Sequence, residues 1–278
     1  MAIPSALTIA ASDSCGADGL QADLRTFAAL KVHGASAVTL VTAQNTEMVT
    51  AVEFMSPALI EAQIRAVFDD MTLTAVKIGA LGNAETIEVV AKTLADVMPE
   101  DFPTPIVADP VLTNHAGDLL VEPETVAAWR EHILPMAAVV TPNLAEAALL
   151  TGSGQPGTLG DLIELGEKLV EAGVGSALVS GGQGKAENSI DILISSDRAP
   201  IQLRSVRMER ENMRGLSGTL SAAIAGHIAH DMPAYDAIQY SKVFLSGAID
   251  TADTFRIGNG PGPVHQLYRL WEQRRTGG

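Results

Sequence analysis

Short apolar runs alternate along this chain with longer segments whose apolar residues recur every three or four positions. That alternation predicts strands joined by helical crossovers on a mainly parallel sheet. Residues 6–11 predict the first strand. Residues 19–31 predict a helix with Leu20, Leu24, Phe27 and Leu30 on one face, and Gly34 reads as the stop that follows it. Strands at 37–43 and 49–54 and a helix at 57–70, with Ile60, Ile64 and Val67 turned inward, come next. Four strands, at 75–78, 105–108, 137–140 and 176–179, are apolar almost throughout, as strands buried on both faces are. Helical segments at 84–97, 123–132, 143–150 and 158–172 fall between them, each ending near Gly, Pro or a polar cluster. Residues 190–195 and 201–206, joined by Ser196-Asp197-Arg198-Ala199-Pro200, predict an antiparallel hairpin at the sheet edge, and helices finish the chain. No Pro/Ser-rich linker, repeat or low-complexity tract breaks the pattern, so a single domain over residues 1–278 is expected.

Composition narrows the partners. The balance of 18 Lys+Arg against 33 Asp+Glu leaves a formal net charge of −15, which repels nucleic acid and anionic membranes where no basic patch intervenes. The arginines between 204 and 214 are interrupted by Glu209 and Glu211, so they form no such patch. Cys15 is the sole cysteine, which excludes an intramolecular disulfide and any metal site built on several thiolates. No apolar stretch approaches the roughly 18 residues of a membrane span, and residues 1–10 lack the basic start and apolar run of a secretory signal. A cytoplasmic location is expected.

Candidate chemistry lies where strands end. Ser12-Asp13, Gln44-Asn45-Thr46 and Asp109-Pro110-Val111 each follow a strand, and ligands of open α/β sheets sit beyond the carboxyl ends of the strands. Each cluster alone also suits a turn. Convergence on one rim is what would make a pocket.

The ordered sum of several segments resembles the hydroxymethylpyrimidine/phosphomethylpyrimidine kinases of thiamine synthesis, a branch of the ribokinase-like family. Those segments are Ala6-Leu7-Thr8-Ile9-Ala10, Gly19-Leu20-Gln21-Ala22-Asp23-Leu24, Ala43-Gln44-Asn45-Thr46, Lys77-Ile78-Gly79, Asp109-Pro110-Val111, Thr141-Pro142-Asn143-Leu144 with Glu146, Gly181-Gly182, Gly215 with Thr219-Leu220-Ser221-Ala222-Ala223, and Gly262-Pro263-Val264-His265. The resemblance spans nearly the whole chain. It implies a three-layer α/β/α fold, mainly parallel with an antiparallel edge, and transfer of the γ-phosphate of ATP, with Mg2+, to an exocyclic hydroxymethyl group or to the resulting monophosphate. It also implies a homodimer.

The resemblance further implies roles for individual residues. Ala11, Asp13, Asp18, Gln44, Ala80 and Val111 fall in the substrate pocket, Gln44 as the amide that hydrogen-bonds the pyrimidine edge. Asn143, Glu146, Ser180, Gly182, Arg214 and Thr219 fall in the nucleotide region, and Asp109 with Glu146 in the magnesium region. Gly215, Ser217 and Gly218 fall in the anion hole, where N–H groups at a helix start meet the charge on the transferred phosphoryl group. Asn143 and Glu146 have a second reading as a capping box, which is compatible with the first. Asp18 reads equally as a helix-dipole charge before the Gly19 helix. If it points inward, it favours an amino-bearing or cationic ligand.

Several positions depart from the family. At 215–219 the family has Gly-Thr-Gly-Cys-Thr where this chain has Gly-Leu-Ser-Gly-Thr, so Gly218 stands in place of the catalytic cysteine and Ser217 in place of the second anion-hole glycine. Loss of a general base typically removes about 10²–10⁴ of rate, and loss of one well-aimed anion-hole donor roughly 10²–10³. Ser180 and His115 replace lysines, Arg214 replaces a histidine, Ala11 a glycine, Asp18 a small apolar residue and Ala80 a methionine. Cys15 reads as a buried, inert thiol. Three functions remain open on the sequence: the pyrimidine kinase with weakened catalysis, an impaired relative kept for pyrimidine binding or regulation, and a kinase retargeted to another hydroxylated ring such as a vitamin B6 compound.

Overall fold

In the computed structural model, which describes residues 3–99, 103–114, 118–154, 158–181 and 188–271, the apolar runs form one sheet. Its strands are β1 (Ser5–Asp13), β2 (His33–Gln44), β3 (Val49–Phe54), β4 (Ala75–Ile78), β5 (Ile106–Ala108), β6 (Val139–Val140), β7 (Ser176–Ser180), β8 (Asn188–Ser195) and β9 (Arg198–Val206). The order across the sheet is β3-β2-β1-β4-β5-β6-β7-β8-β9. From β2 to β7 every pairing is parallel; β3, β8 and β9 are antiparallel. The expected antiparallel edge is therefore present on both sides. At the β2–β3 side the cause is the short turn at 45–48, held by Asn45 Oδ1 accepting from the N–H groups of Glu47 and Met48, since such a turn can only reverse the chain.

Eight α-helices cover the two faces: α1 (Gly19–Ala29), α2 (Pro57–Asp70), α3 (Ala84–Val97), α4 (Pro123–Ala128), α5 (Leu144–Thr151), α6 (Leu159–Glu171), α7 (Leu216–Ala229) and α8 (Ala234–Asp250), counted among the described residues. Because side chains alternate across a strand, each central strand serves both layers. Leu7, Ile9, Val76, Ile78 and Ile106 pack with Ile60, Ile64, Ile87, Leu94 and Leu169 on one side. Ala6, Ala75, Val107, Val139 and Leu178 pack with Phe27, Leu220, Ile224, Ile228 and Ile238 on the other. The predicted three layers are thus built from one period-two pattern.

Two local expectations fail for identifiable reasons. Gly34 does not stop α1; the chain turns at Lys31, with φ +61°, and Gly34 lies inside β2, where a Cβ would come within 2.7 Å of Leu24. The helix expected over 123–132 is α-helical only to Ala128, then runs through a π turn at Trp129–Ile133 and a 3-10 turn at Leu134–Met136. Pro135 has no N–H to continue the α pattern.

The chain runs from β1 outward to β2 and β3, then returns to β4 on the other side of β1. The loops beyond the ends of β1 and β4 diverge there, which is where such sheets form a crevice.

Candidate active site

The loop after β1 is organised by Asp13. Its carboxylate accepts from the backbone N–H groups of Cys15 at 2.8 Å and of Ala17 and Asp18 at 3.0 Å each. Asp13 is buried, so its side chain shapes the loop from beneath. Asp18 caps α1, its Oδ1 accepting from the N–H of Gly19 at 2.9 Å, which realises the helix-start reading. Cys15 is half-buried rather than buried. Ser14 ties the loop to the end of β2, donating to the carbonyl of Gln44 and accepting from its N–H, both at 2.8 Å. The Gln44 carboxamide has no hydrogen-bond partner among the described residues and stands half-buried beside this loop.

The start of α7 meets the same loop. Gly215 has φ +74°, and a Cβ on it would lie 2.5 Å from the carbonyl oxygen of Ala17, so both conformation and close approach require glycine. The first intrahelical bond runs from the N–H of Thr219 to Gly215, which leaves the earlier N–H groups of the turn free for an anion. Ser217 is exposed at this start and donates its hydroxyl to Asp109 Oδ1. Thr219 is wholly buried, with Oγ1 accepting from Gln266 at 3.1 Å, so its side chain serves packing at this helix start.

Asp109, at the end of β5, also accepts from Ser221 at 3.0 Å and lies 4.0 Å from the ammonium of Lys77. Lys77 is buried and paired with Asp23 at 3.0 Å, and Asp23 accepts from Thr8 at 2.6 Å. Burial pushes Lys77 down, but Asp23 and Asp109 outweigh it and hold the ammonium above its usual range. In the sequence, Lys77 and Asp23 stand out only as parts of the segments that carry the family resemblance. A lysine within an otherwise apolar strand was the available signal, because a buried ammonium needs carboxylates around it.

Asn143 and Glu146 form the capping box of α5, with Asn143 Oδ1 accepting from the N–H of Glu146 at 3.0 Å and Glu146 Oε2 accepting from the N–H of Asn143 at 2.9 Å. Glu146 Oε1 reaches across to the loop after β5, accepting from the N–H groups of Leu112 at 3.2 Å and Thr113 at 3.4 Å. Burial, joined by repulsion from Asp109, pushes the Glu146 carboxyl up to about 7 against these N–H contacts. No group of three or more His, Cys, Asp or Glu suited to a metal occurs among the described residues. Asp109 and Glu146 nevertheless suit a cation that keeps much of its water shell and arrives with phosphates, and such a cation would favour the ionised form of Glu146 that burial, with Asp109, disfavours.

The remaining residues border these groups. Arg214 turns into the β1–α1 loop, donating to the carbonyl of Asn45 at 2.9 Å and lying 3.8 Å from Asp13 Oδ2. The carbonyl of Ala80 accepts from Thr39 at 2.8 Å, and Val111 exposes its side chain next to Asp109. Ala11 sits at a register irregularity of β1, its carbonyl 2.3 Å from where a Cβ on Gly19 would stand. Ser180 ends β7 and bridges to Asn143. Gly182 and His115 lie outside the described residues. No helix among the described residues is long and apolar enough to cross a membrane.

Comparison with known proteins agrees with this geometry. Residues 13–265 match the phosphomethylpyrimidine kinase family model. A hydroxymethylpyrimidine/phosphomethylpyrimidine kinase of Rhizobium meliloti is 44% identical over 96% of this chain and 98% of its own length. Among solved structures, the ADP complex of Bacillus subtilis pyridoxal kinase superposes with a TM-score of 0.87 at 32% identity, covering 97% of this chain and 100% of that one. A phosphomethylpyrimidine kinase of Clostridium difficile does so with a TM-score of 0.77 at 34% identity, covering 88% and 99%. With residues 13–265 matched to the family model and the β1–α1 loop, the α7 start and the buried carboxylates assembled at one sheet rim, the chain belongs to the hydroxymethylpyrimidine/phosphomethylpyrimidine kinase family, on a ribokinase-like fold.

Proposed function

We propose that this chain transfers the γ-phosphate of ATP to the hydroxymethyl group of 4-amino-5-hydroxymethyl-2-methylpyrimidine or to its monophosphate. The observation that carries this reading is the meeting of the β1 loop with the α7 start, where the carbonyl of Ala17 packs against Gly215, inside a chain matched to the family over residues 13–265. The unpartnered Gln44 carboxamide offers a donor and an acceptor to a ring edge, and the free N–H groups at the α7 start offer a cradle to the phosphoryl group. The bound ADP of the Bacillus subtilis relative supports use of ATP. Asp109 and Glu146 would hold Mg2+ through its water shell, where it would offset the charge on the phosphates. Gly218 contributes no side chain to take the substrate's proton; were water alone to fill that role, turnover would be about 10²–10⁴ slower than with a positioned base. The exposed Val49, Val52 and Phe54 on β3 support the homodimer expected from resemblance.

The test is mass-spectrometric detection of phosphorylated product after incubating stoichiometric protein with magnesium-ATP and the pyrimidine, its monophosphate or pyridoxal, beside an enzyme-free control. Phosphorylated pyrimidine above control, with KM raised by Gln44→Ala, is the expected result. Product from pyridoxal alone would indicate a retargeted kinase. Pyrimidine binding without product would indicate a relative kept for binding.

A further inference from the structure

Gly218 is not a glycine that the backbone demands. Its φ is not positive, and a Cβ built on it would make only ordinary contacts, 3.4 Å from Asp18 Oδ1 and 3.5 Å from Asp23 Oδ1. The space beside residue 218, into which a side chain at this helix start would project, is therefore bordered by two carboxylates.

The two acids are not equivalent. Asp23 is wholly buried, its Oδ2 committed to Thr8 and Lys77, and its Oδ1 lies sealed without a partner. Asp18 is half-buried on the substrate loop itself. Its position is fixed twice, by its own N–H donating to Asp13 and by its Oδ1 accepting from the N–H of Gly19, while its Oδ2 has no hydrogen-bond partner among the described residues. A fixed carboxylate with one free oxygen at the edge of a site has the geometry of a proton acceptor.

We propose that Asp18 is the general base of this kinase, supplying from the substrate loop the proton acceptor that residue 218 does not. The proposal rests on the kinase function proposed above. In the step, the substrate hydroxyl gives its proton to the Asp18 carboxylate as its oxygen forms the bond to the γ-phosphorus. The bond from that phosphorus to the β,γ-bridging oxygen breaks, and its electron pair leaves on ADP. Asp18 then returns the proton to solvent as product departs. The charged groups facing Asp18 are Lys77, Arg214 and Arg25, which favour its ionised form, and Asp109, which opposes it; burial is the largest influence and lifts the carboxyl above its usual range, toward the pH at which a base works best.

Steady-state kinetics of the full chain with the pyrimidine and magnesium-ATP tests this, comparing wild type, Asp18→Asn and Asp18→Asn combined with Gly218→Cys. Asparagine keeps an acceptor for the Gly19 N–H, so the start of α1 and the melting temperature should hold. The expected result is a fall in kcat of about 10²–10⁴ at unchanged KM, with recovery of about tenfold or more when the cysteine is added. An Asp18→Asn protein as fast as wild type overturns the proposal and leaves the kinase function standing. So does a loss confined to KM and melting temperature, or a kcat loss that the cysteine does not relieve. A wild type without turnover overturns the kinase function and this base together.

Discussion

Two carboxylates sit on either side of Asp109, both buried and both lifted by that burial, yet they are compensated in different ways. Asp23 faces the ammonium of Lys77 at 3.0 Å and a threonine hydroxyl. Glu146 faces only neutral donors, the N–H groups of Asn143, Leu112 and Thr113 and the Thr113 hydroxyl, and its carboxyl rises to about 7. The side of the site beneath the β1–α1 loop thus carries its own cation, whereas the side at α5 holds a buried carboxyl without one, whose ionised form a cation arriving with phosphates would favour. A site that leaves one carboxyl without a cation until its ligand binds carries the cost of that ionised group in its ligand-free state.

Removing the internal cation should break the contrast most severely. Lys77→Met leaves Asp23 and Asp109 facing each other without their ammonium and should cost about 3–5 kcal/mol. A shift of the urea midpoint at unchanged slope would measure it; near-neutral behaviour would mean that Asp23 simply takes up a proton.

Next in size is the pH dependence contributed by Glu146. An acid whose folded value lies near 7 against 4.5 otherwise gains a proton on folding between those values. Its contribution is therefore fully present below about pH 4.5 and is lost as pH rises through about 7. Glu146→Gln should remove on the order of 3 kcal/mol of that decline. Unfolding of ligand-free wild type and variant across this range would show wild type declining while the variant stays level, the two curves parting as pH rises from about 4.5 to 7, and parallel curves would contradict the raised value.

The smallest effect belongs to the neutral donors. Asn143→Ala removes one half of the capping box and should cost about 1 kcal/mol, read as a modest fall in melting temperature. Were it to approach the cost of Lys77→Met, the two sides would be held by comparable forces and the comparison would fail.

Legibility in the sequence followed the range of the forces involved. Strands β3 and β4 and helices α2 and α3 have the boundaries that periodicity predicts, because burial on one face of a local element leaves its period in the residues themselves. The capping box at Asn143 and Glu146 was legible for the same reason, since both partners lie within one turn. Gly34 was misread because its reason is a distant close approach to Leu24, whereas the turn itself is made by Lys31. Lys77 announced only that it needed partners.

By itself, the sequence determined the layered α/β architecture, the family and the glycine at residue 218. Only the tertiary structure decided what faces that position. Asp18 follows the first strand and Gly218 opens the seventh helix, and no local periodicity relates them. They meet because β1 lies at the switch point of the sheet and α7 packs across β1, β4 and β5, which brings the helix start over the loop. The same packing turns Arg214 into that loop and sets Lys77 between Asp23 and Asp109. A residue's chemistry is written in its identity, but its partner is chosen by the fold.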